Sequence, residues 1–248
     1  YQQKGLIDGL AHPFRKRKKT IALDNVDMEI EKNCLFCLIG PNGAGKTTLI
    51  KILCTLILPT SGKAYINGYD IKREDIKVRA SIGLISSEER SFFWRLSGME
   101  NLRFFAALYN IPRRDATAII DKVMDICKID EPYKRFQEYS TGLKQRLGIA
   151  RCLLGNPEIL FMDEPTKNLD PIMAENLRRF IKEDLVLKRG KTVFFTTHNL
   201  AEIEGFADKL AIMHKGRIKG IGSPEDLKKT SGLERPKIED VFKYYIEG

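Results

Sequence analysis

Nowhere in these 248 residues is there an uncharged apolar run of about 18 residues, the length a membrane-crossing helix needs. A spanning helix within this stretch is therefore excluded. Cysteine is scarce: Cys34, Cys37, Cys54, Cys127 and Cys152 form an odd, scattered set. That excludes a disulfide framework and fits a reducing compartment. Cys34 and Cys37 make a C-x-x-C, but no second ligand pair accompanies them. Residues three apart on a strand also face opposite sides, so both read as buried apolar residues. Internal repeats, low-complexity tracts and heptads are missing as well, which excludes solenoids and coiled coils.

What remains suits one large α/β domain: 43% hydrophobic, 30% charged, net charge +9. Basic residues are mostly interleaved with acidic ones. The dense block is Arg15–Lys19, "RKRKK", which reads as a solvated loop or, more sharply, as a patch for anionic lipid headgroups or nucleic acid. Composition favours none of these.

Along the chain, residues 20–30, "TIALDNVDMEI", alternate apolar and polar and predict a half-buried antiparallel strand. "CLFCLIG" is a continuous apolar strand, followed by a helix predicted over 47–57 and stopped at Pro59. Asn67-Gly68 predicts a tight hairpin turn. From Ser97 the pattern turns helical, opening on a Ser97-x-x-Glu100 capping box with Leu102, Phe105, Ala106 and Tyr109 on one face. Ser140 precedes a second helical stripe of Leu143, Leu147, Ala150 and Leu154, so a helix start with small residues and bare amides is expected there. "EILFM", "TVFFTT" and "LAIM" read as buried parallel strands. Ser223-Pro224 resembles an N-cap with Pro at the first helical position, and Ile238, Val241, Phe242 and Tyr245 mark a last amphipathic helix.

Three constellations carry chemistry. Gly40-Pro41-Asn42-Gly43-Ala44-Gly45-Lys46-Thr47-Thr48 matches G-x-x-x-x-G-K-[ST] between a strand and a helix. Its glycines let amides turn toward phosphate oxygens, Lys46 supplies a charge to the β- and γ-phosphates, and Thr47 offers a hydroxyl to Mg²⁺. In that context the motif predicts nucleoside triphosphate binding. "EILFMDEP" ends in Asp163 and Glu164: one carboxylate for the Mg²⁺ shell and one facing the γ-phosphate is the arrangement hydrolysis needs. Paired acids at a strand end are often only solvated; shared placement in one α/β core strengthens the hydrolytic reading. His198 ends "TVFFTTH", where open α/β sheets place their ligands.

In this combination the chain resembles the ATP-binding cassette (ABC) family over nearly its whole length, from "ALDNVDMEI" to the last helix. "GPNGAGKTT" resembles its Walker A motif, and "ILFMDEP" its Walker B motif with the catalytic Glu164 following. "STGLK" stands at the signature position, with Ser140, Thr141 and Gly142 facing an ATP in trans. "KNLD" stands at the D-loop with Asp170, and His198 at the switch histidine. The resemblance implies a P-loop NTPase core with a mainly parallel sheet, an antiparallel β layer and an inserted helical subdomain. It divides the single domain into 1–87 and 156–222 (core and β layer), 88–155 (helical subdomain) and 223–248 (C-terminal helices). It further implies an ATPase using ATP and Mg²⁺, the metal at Thr47, Asp163 and Ser87. Two such domains would pair head to tail around two ATP, as a homodimer or with a paralogous ATPase. They would drive a separate membrane-spanning subunit from the cytoplasmic face of the cell membrane. No specific nucleic acid is expected.

The departures matter. Ser87 stands where the family has a Gln. Thr141, Leu143 and Lys144 replace the two outer glycines and the Gln of the signature, variants that occur among ABC-2-type exporters of drugs, lipid-linked glycans or polysaccharides. Lys167 replaces a small residue and adds charge near the expected dimer interface. Tyr1 and Phe14 are the two candidates for stacking on adenine. The consecutive Phe92, Phe93 and Trp94 cannot all point inward, and some exposed apolar surface is expected, a groove for a membrane partner or simply core of the helical lobe. The competing function is a soluble ABC ATPase acting on ribosomes or DNA. Those proteins usually carry a second cassette or long coiled coils, which these residues do not contain.

Overall fold

The computed structural model describes residues 21–86, 91–234 and 236–247. Strand β1 (Leu35–Ile39) is followed by helix α1 (Lys46–Leu53), a hairpin of β2 (Tyr65–Ile66) and β3 (Tyr69–Asp70), α2 (Asp75–Ser81) and β4 (Ile82–Ser86). A helical segment comes next: α3 (Gly98–Leu108), α4 (Arg113–Ile126) and α5 (Thr141–Leu153). The chain then returns through β5 (Ile159–Asp163), α6 (Pro171–Arg179), β6 (Thr192–Thr197), β7 (Lys209–His214) and β8 (Arg217–Gly222), and ends in α7 (Pro224–Thr230) and α8 (Ile238–Glu247).

Six strands form one sheet in the order β4-β5-β6-β1-β7-β8, parallel except for the antiparallel β7–β8 pair. Every residue of β1 and β6 is buried, as expected for strands covered on both faces. Alternation splits their side chains between two cores. Phe36, Leu38, Phe161 and Phe194 face α1, while Leu35, Cys37, Met162 and Phe195 face the helices on the opposite side. Cys34 and Cys37 are buried free thiols.

Local signals hold where short-range chemistry decides. The Ser97–Glu100 capping box forms, Ser223 caps α7 with Pro224 inside it, and Asn67-Gly68 makes the β2–β3 turn with φ of 52° and 82°. The helix expected to reach Ile57 ends at Leu53, because Thr55 turns into the left-handed region (φ 59°) and Leu56 N–H closes back on Lys51. Tyr109 lies on the exposed side of the α3 end rather than on its buried face. Residues 21–30 form no strand among the described residues. Their alternation does turn Leu23, Val26, Met28 and Ile30 toward the core, but burial pattern alone supplies no partner backbone, and the β2–β3 hairpin pairs only with itself. No described helix is long and apolar enough to cross a membrane.

Candidate active site

The parallel strands end together on one edge, where the loops leaving β1 and β5 build one cleft and the segment leaving β6 lies alongside, against Glu164. Leaving β1, Gly40 passes so close to β7 that a Cβ would lie 2.3 Å from the Met213 carbonyl oxygen. Gly45, at φ 113°, caps α1 without any side-chain bond, so the first amides of the helix stay open to an anion. Lys46 is 5% exposed, and its ammonium donates to the carbonyls of Gly40 (2.7 Å) and Pro41 (3.2 Å) and lies 3.5 Å from Glu164 Oε1. Burial pulls its pKa below the usual lysine value, although Glu164 and Asp163 oppose the shift. Next to it, Thr47 Oγ1 donates to Asp163 Oδ2 at 2.8 Å.

Strand pairing sets Asp163 opposite Thr196, and the wholly buried Thr196 hydroxyl donates to Asp163 Oδ1 at 2.7 Å. The same hydroxyl accepts from the Glu164 N–H at 3.1 Å. Glu164 leaves the strand at φ 49°, a conformation uncommon outside glycine. That turn swings its carboxylate out of the sheet and between three basic groups: His198 Nδ1 at 3.1 Å, Lys167 Nζ at 3.3 Å and Lys46. Burial pushes the carboxyl up, but the His198 hydrogen bond and the nearby Lys46 charge outweigh it, and its pKa falls below the usual glutamate value. The resulting cleft, about 710 Å³, is lined by Asn42–Thr48, Ser86, Asp163, Glu164 and Lys167. Thr47 and Asp163 present hard oxygen donors to it, which suits Mg²⁺, an ion that keeps its waters and shares substrate phosphates instead of needing a full protein cage. Among the described residues no cluster of three or more His, Cys, Asp or Glu is placed to hold a metal by itself.

The remaining expected residues lie elsewhere. Ser140 caps α5, its Oγ accepting from Leu143 N–H at 3.2 Å, with Thr141 exposed beside it. Gly142 faces α6, where a Cβ would meet Met173 Sδ at 3.2 Å. Asp170 caps α6 by accepting from Met173 N–H at 2.9 Å, so signature and D-loop segments share Met173 as a neighbour. Ser140 and Gly142 line a separate depression of about 260 Å³, and neither they, Thr141 nor Asp170 line the phosphate-loop cleft. Lys167, expected at a dimer interface, pairs with Glu164 within the chain. Ser87, Tyr1, Phe14 and the Arg15–Lys19 block lie outside the described residues.

Sequence reasoning overlooked the two threonines that close "TVFFTT", Thr196 and Thr197. Neighbouring residues on a strand face opposite ways, so Thr196 reaches Asp163 while Thr197 donates to the buried Glu202. The available signal was polarity: two adjacent hydroxyls closing a fully buried strand.

The profile of the ABC transporter family matches residues 23–167, more than half of the chain. The chain belongs to the ABC transporter family. It is an ABC ATPase, and relatives agree along most of its length. It is 34% identical over 230 residues to the daunorubicin resistance ATP-binding protein DrrA3 of Streptomyces coeruleorubidus, covering 92% of this chain and 71% of that one. It is 33% identical over 225 residues to the probable multidrug ABC transporter ATP-binding protein YbhF of Escherichia coli, covering 89% of this ABC ATPase but 38% of YbhF. Among solved structures, cbiO1 of Clostridium perfringens, part of the ABC transporter complex cbiONQ, superposes with a TM-score of 0.77 at 26% identity, covering 84% of each chain. Both relatives are named as ATP-binding proteins, one for daunorubicin resistance and one for a probable multidrug transporter, and the fold agrees with the P-loop architecture expected from the motifs.

Proposed function

We propose that this chain binds ATP at Gly40–Thr48, hydrolyses it with Glu164 as the base that orients water, and closes onto a second ATPase copy to drive export through a membrane-spanning partner. One observation carries the reading: the phosphate-loop cleft gathers Lys46, Thr47, Asp163 and Glu164, His198 reaches it through Glu164 at 3.1 Å, and Ser140–Gly142 lie outside it. A site with its hydrolytic residues on one chain and its last phosphate donors turned elsewhere is completed by another copy.

The chemistry follows from these contacts. Entry of the triphosphate draws the Lys46 ammonium from the Gly40 and Pro41 carbonyls toward the β- and γ-phosphates, because a charged partner outweighs neutral carbonyls. Glu164 is then left to His198 and Lys167, its carboxylate ionised and aimed at a water in line with the γ-phosphate. Thr47 and Asp163 would hold Mg²⁺, which when bound neutralises phosphate charge. The bare amides and hydroxyl of Ser140 on the partner copy favour a triphosphate over a diphosphate, so hydrolysis removes the differential contact and releases the pair. Export, and the ABC-2 type, rest on the signature variant and on relatives named for daunorubicin resistance and multidrug transport. The membrane face is assigned to the exposed Phe93 and Trp94 (46% and 67%) beside buried Phe92.

Mixing a Ser140→Arg chain with a Lys46→Ala chain tests the composite site. Each homodimer has two broken sites, whereas the mixed dimer has one intact site. Restored turnover on mixing supports the arrangement, and no gain over the separate variants overturns it.

A further inference from the structure

Glu202 has no place in the chemistry above, yet it is among the more deeply buried charged side chains, at 6% exposure. It closes the short turn Leu200–Glu202 that follows His198. One of its oxygens, Oε2, accepts from the Thr166 hydroxyl at 3.0 Å and from the Thr197 hydroxyl at 2.8 Å. The other, Oε1, faces Arg178 Nη1 of α6 at 3.3 Å. Thr166 lies two residues past Glu164, and Thr197 immediately precedes His198. Both hydroxyl donors are themselves buried, at 5% and 3% exposure.

We propose that Glu202 is a positioning residue for ATP hydrolysis, tying the turn that carries Glu164 to the strand end that carries His198. The proposal rests on the ATPase reading and adds a residue to it. The geometry argues against a merely charge-balancing role. Arg178 already has a second carboxylate in Glu175, so it does not need Glu202 for neutralisation. The bond from Glu164 N–H to the Thr196 oxygen already joins the two segments, and the single Glu202 oxygen shared by Thr166 and Thr197 adds a second tie that braces the 3.1 Å contact between His198 and Glu164. A cleft of about 330 Å³ lies alongside Thr166, His198 and Glu202, so packing there is one-sided. Buried charged hydrogen bonds of this kind hold loops more firmly than neutral ones.

The test uses the full chain and compares steady-state hydrolysis with directly measured ATP binding. Replacing both hydroxyls in Thr166→Val/Thr197→Val keeps side-chain volume and leaves Glu202 with Arg178; it also removes the acceptor for the Asn199 N–H. The pair should lower kcat by about tenfold, the order expected from sub-ångström misplacement of a catalytic group, while KM and ATP affinity stay within about twofold. Thr166→Ser/Thr197→Ser, which keeps both donors, should recover most of that loss. Adding the valine pair to His198→Ala should cost little further, since both act through one contact. Wild-type kcat in the valine pair, equal loss in the serine pair, or full additivity with His198→Ala overturns the proposal. Glu164→Gln serves as the control: if wild type and Glu164→Gln turn over alike, the hydrolysis reading itself fails. If they differ but the valine pair is normal, only the role of Glu202 fails.

Discussion

Thr196→Val removes one hydroxyl and nothing else of consequence, which makes it the sharpest probe of the site. The side chain is wholly buried, so its hydroxyl has no water to fall back on. It donates to the Asp163 carboxylate at 2.7 Å, and a hydrogen bond to a charged group is worth about 1.5–3 kcal/mol. The Glu164 N–H loses its contact with the hydroxyl but keeps the Thr196 backbone oxygen at 3.1 Å, so little is lost there. The new methyl gains about 0.8 kcal/mol from burial. The net loss is therefore about 1–2 kcal/mol, and at about 2–4 °C per kcal/mol for a chain of this size Tm should drop by about 2–8 °C. Scanning calorimetry at neutral pH measures it. Asp163 would then be held by Thr47 alone among its described partners, and the Mg²⁺ concentration giving half-maximal hydrolysis should rise. Thr196→Ser, which retains the donor, should keep the wild-type Mg²⁺ dependence while losing some stability from the missing methyl. If Thr196→Val leaves both Tm and the Mg²⁺ dependence unchanged, the hydroxyl does not hold Asp163 and the assigned geometry is wrong.

Gly40→Ala drives a Cβ onto the Met213 carbonyl, and overpacking of this kind costs about 1–3 kcal/mol or more; Gly43→Ala meets no atom within 4 Å and pays only for its φ of 80°. Gly40→Ala should therefore melt at the lower temperature of the two, and the reverse order would contradict the packing account. Asp184 faces Lys188 at 3.0 Å and Lys128 and Arg189 at 3.9 Å; burial raises its pKa, but these cations outweigh it and the net shift is downward. A depressed carboxylate pKa stabilises the fold above its ordinary value near 3.8 and loses that contribution as pH falls through the folded value. Asp184→Asn should cost about 0.5–1 kcal/mol at pH 7, and urea titrations should show the difference shrinking as pH falls below 3.8. Trp94→Ala, at a site 67% exposed, should leave the Tm of the isolated chain within about 1 °C yet abolish co-purification with the membrane subunit. Intact co-purification would move the docking surface elsewhere.

The phosphate loop was legible because strand, loop and helix are contiguous, and so were the caps at Ser97, Ser140 and Ser223, whose bonds reach only three residues. Residues 21–30 show the limit. Their alternation correctly names Val26, Met28 and Ile30 as inward-facing, but strand formation depends on a neighbour's backbone, which no local pattern supplies. Lys167 shows it again: its charge is evident in the sequence, whereas its partner, Glu164, depends on the sharp turn at φ 49°.

By itself, then, the sequence determined what depends on neighbours along the chain: the phosphate loop, the helix starts, the buried strands and the residue types available for hydrolysis. Only the tertiary structure decided which of these meet. Parallel strands that are distant in sequence deliver Asp163, Thr196 and His198 to one edge because sheet order and register, not chain order, set side-chain proximity. The same folding turns Ser140 to another face and buries Glu202 between two loops, where a carboxylate is stable only because two hydroxyls and an arginine surround it.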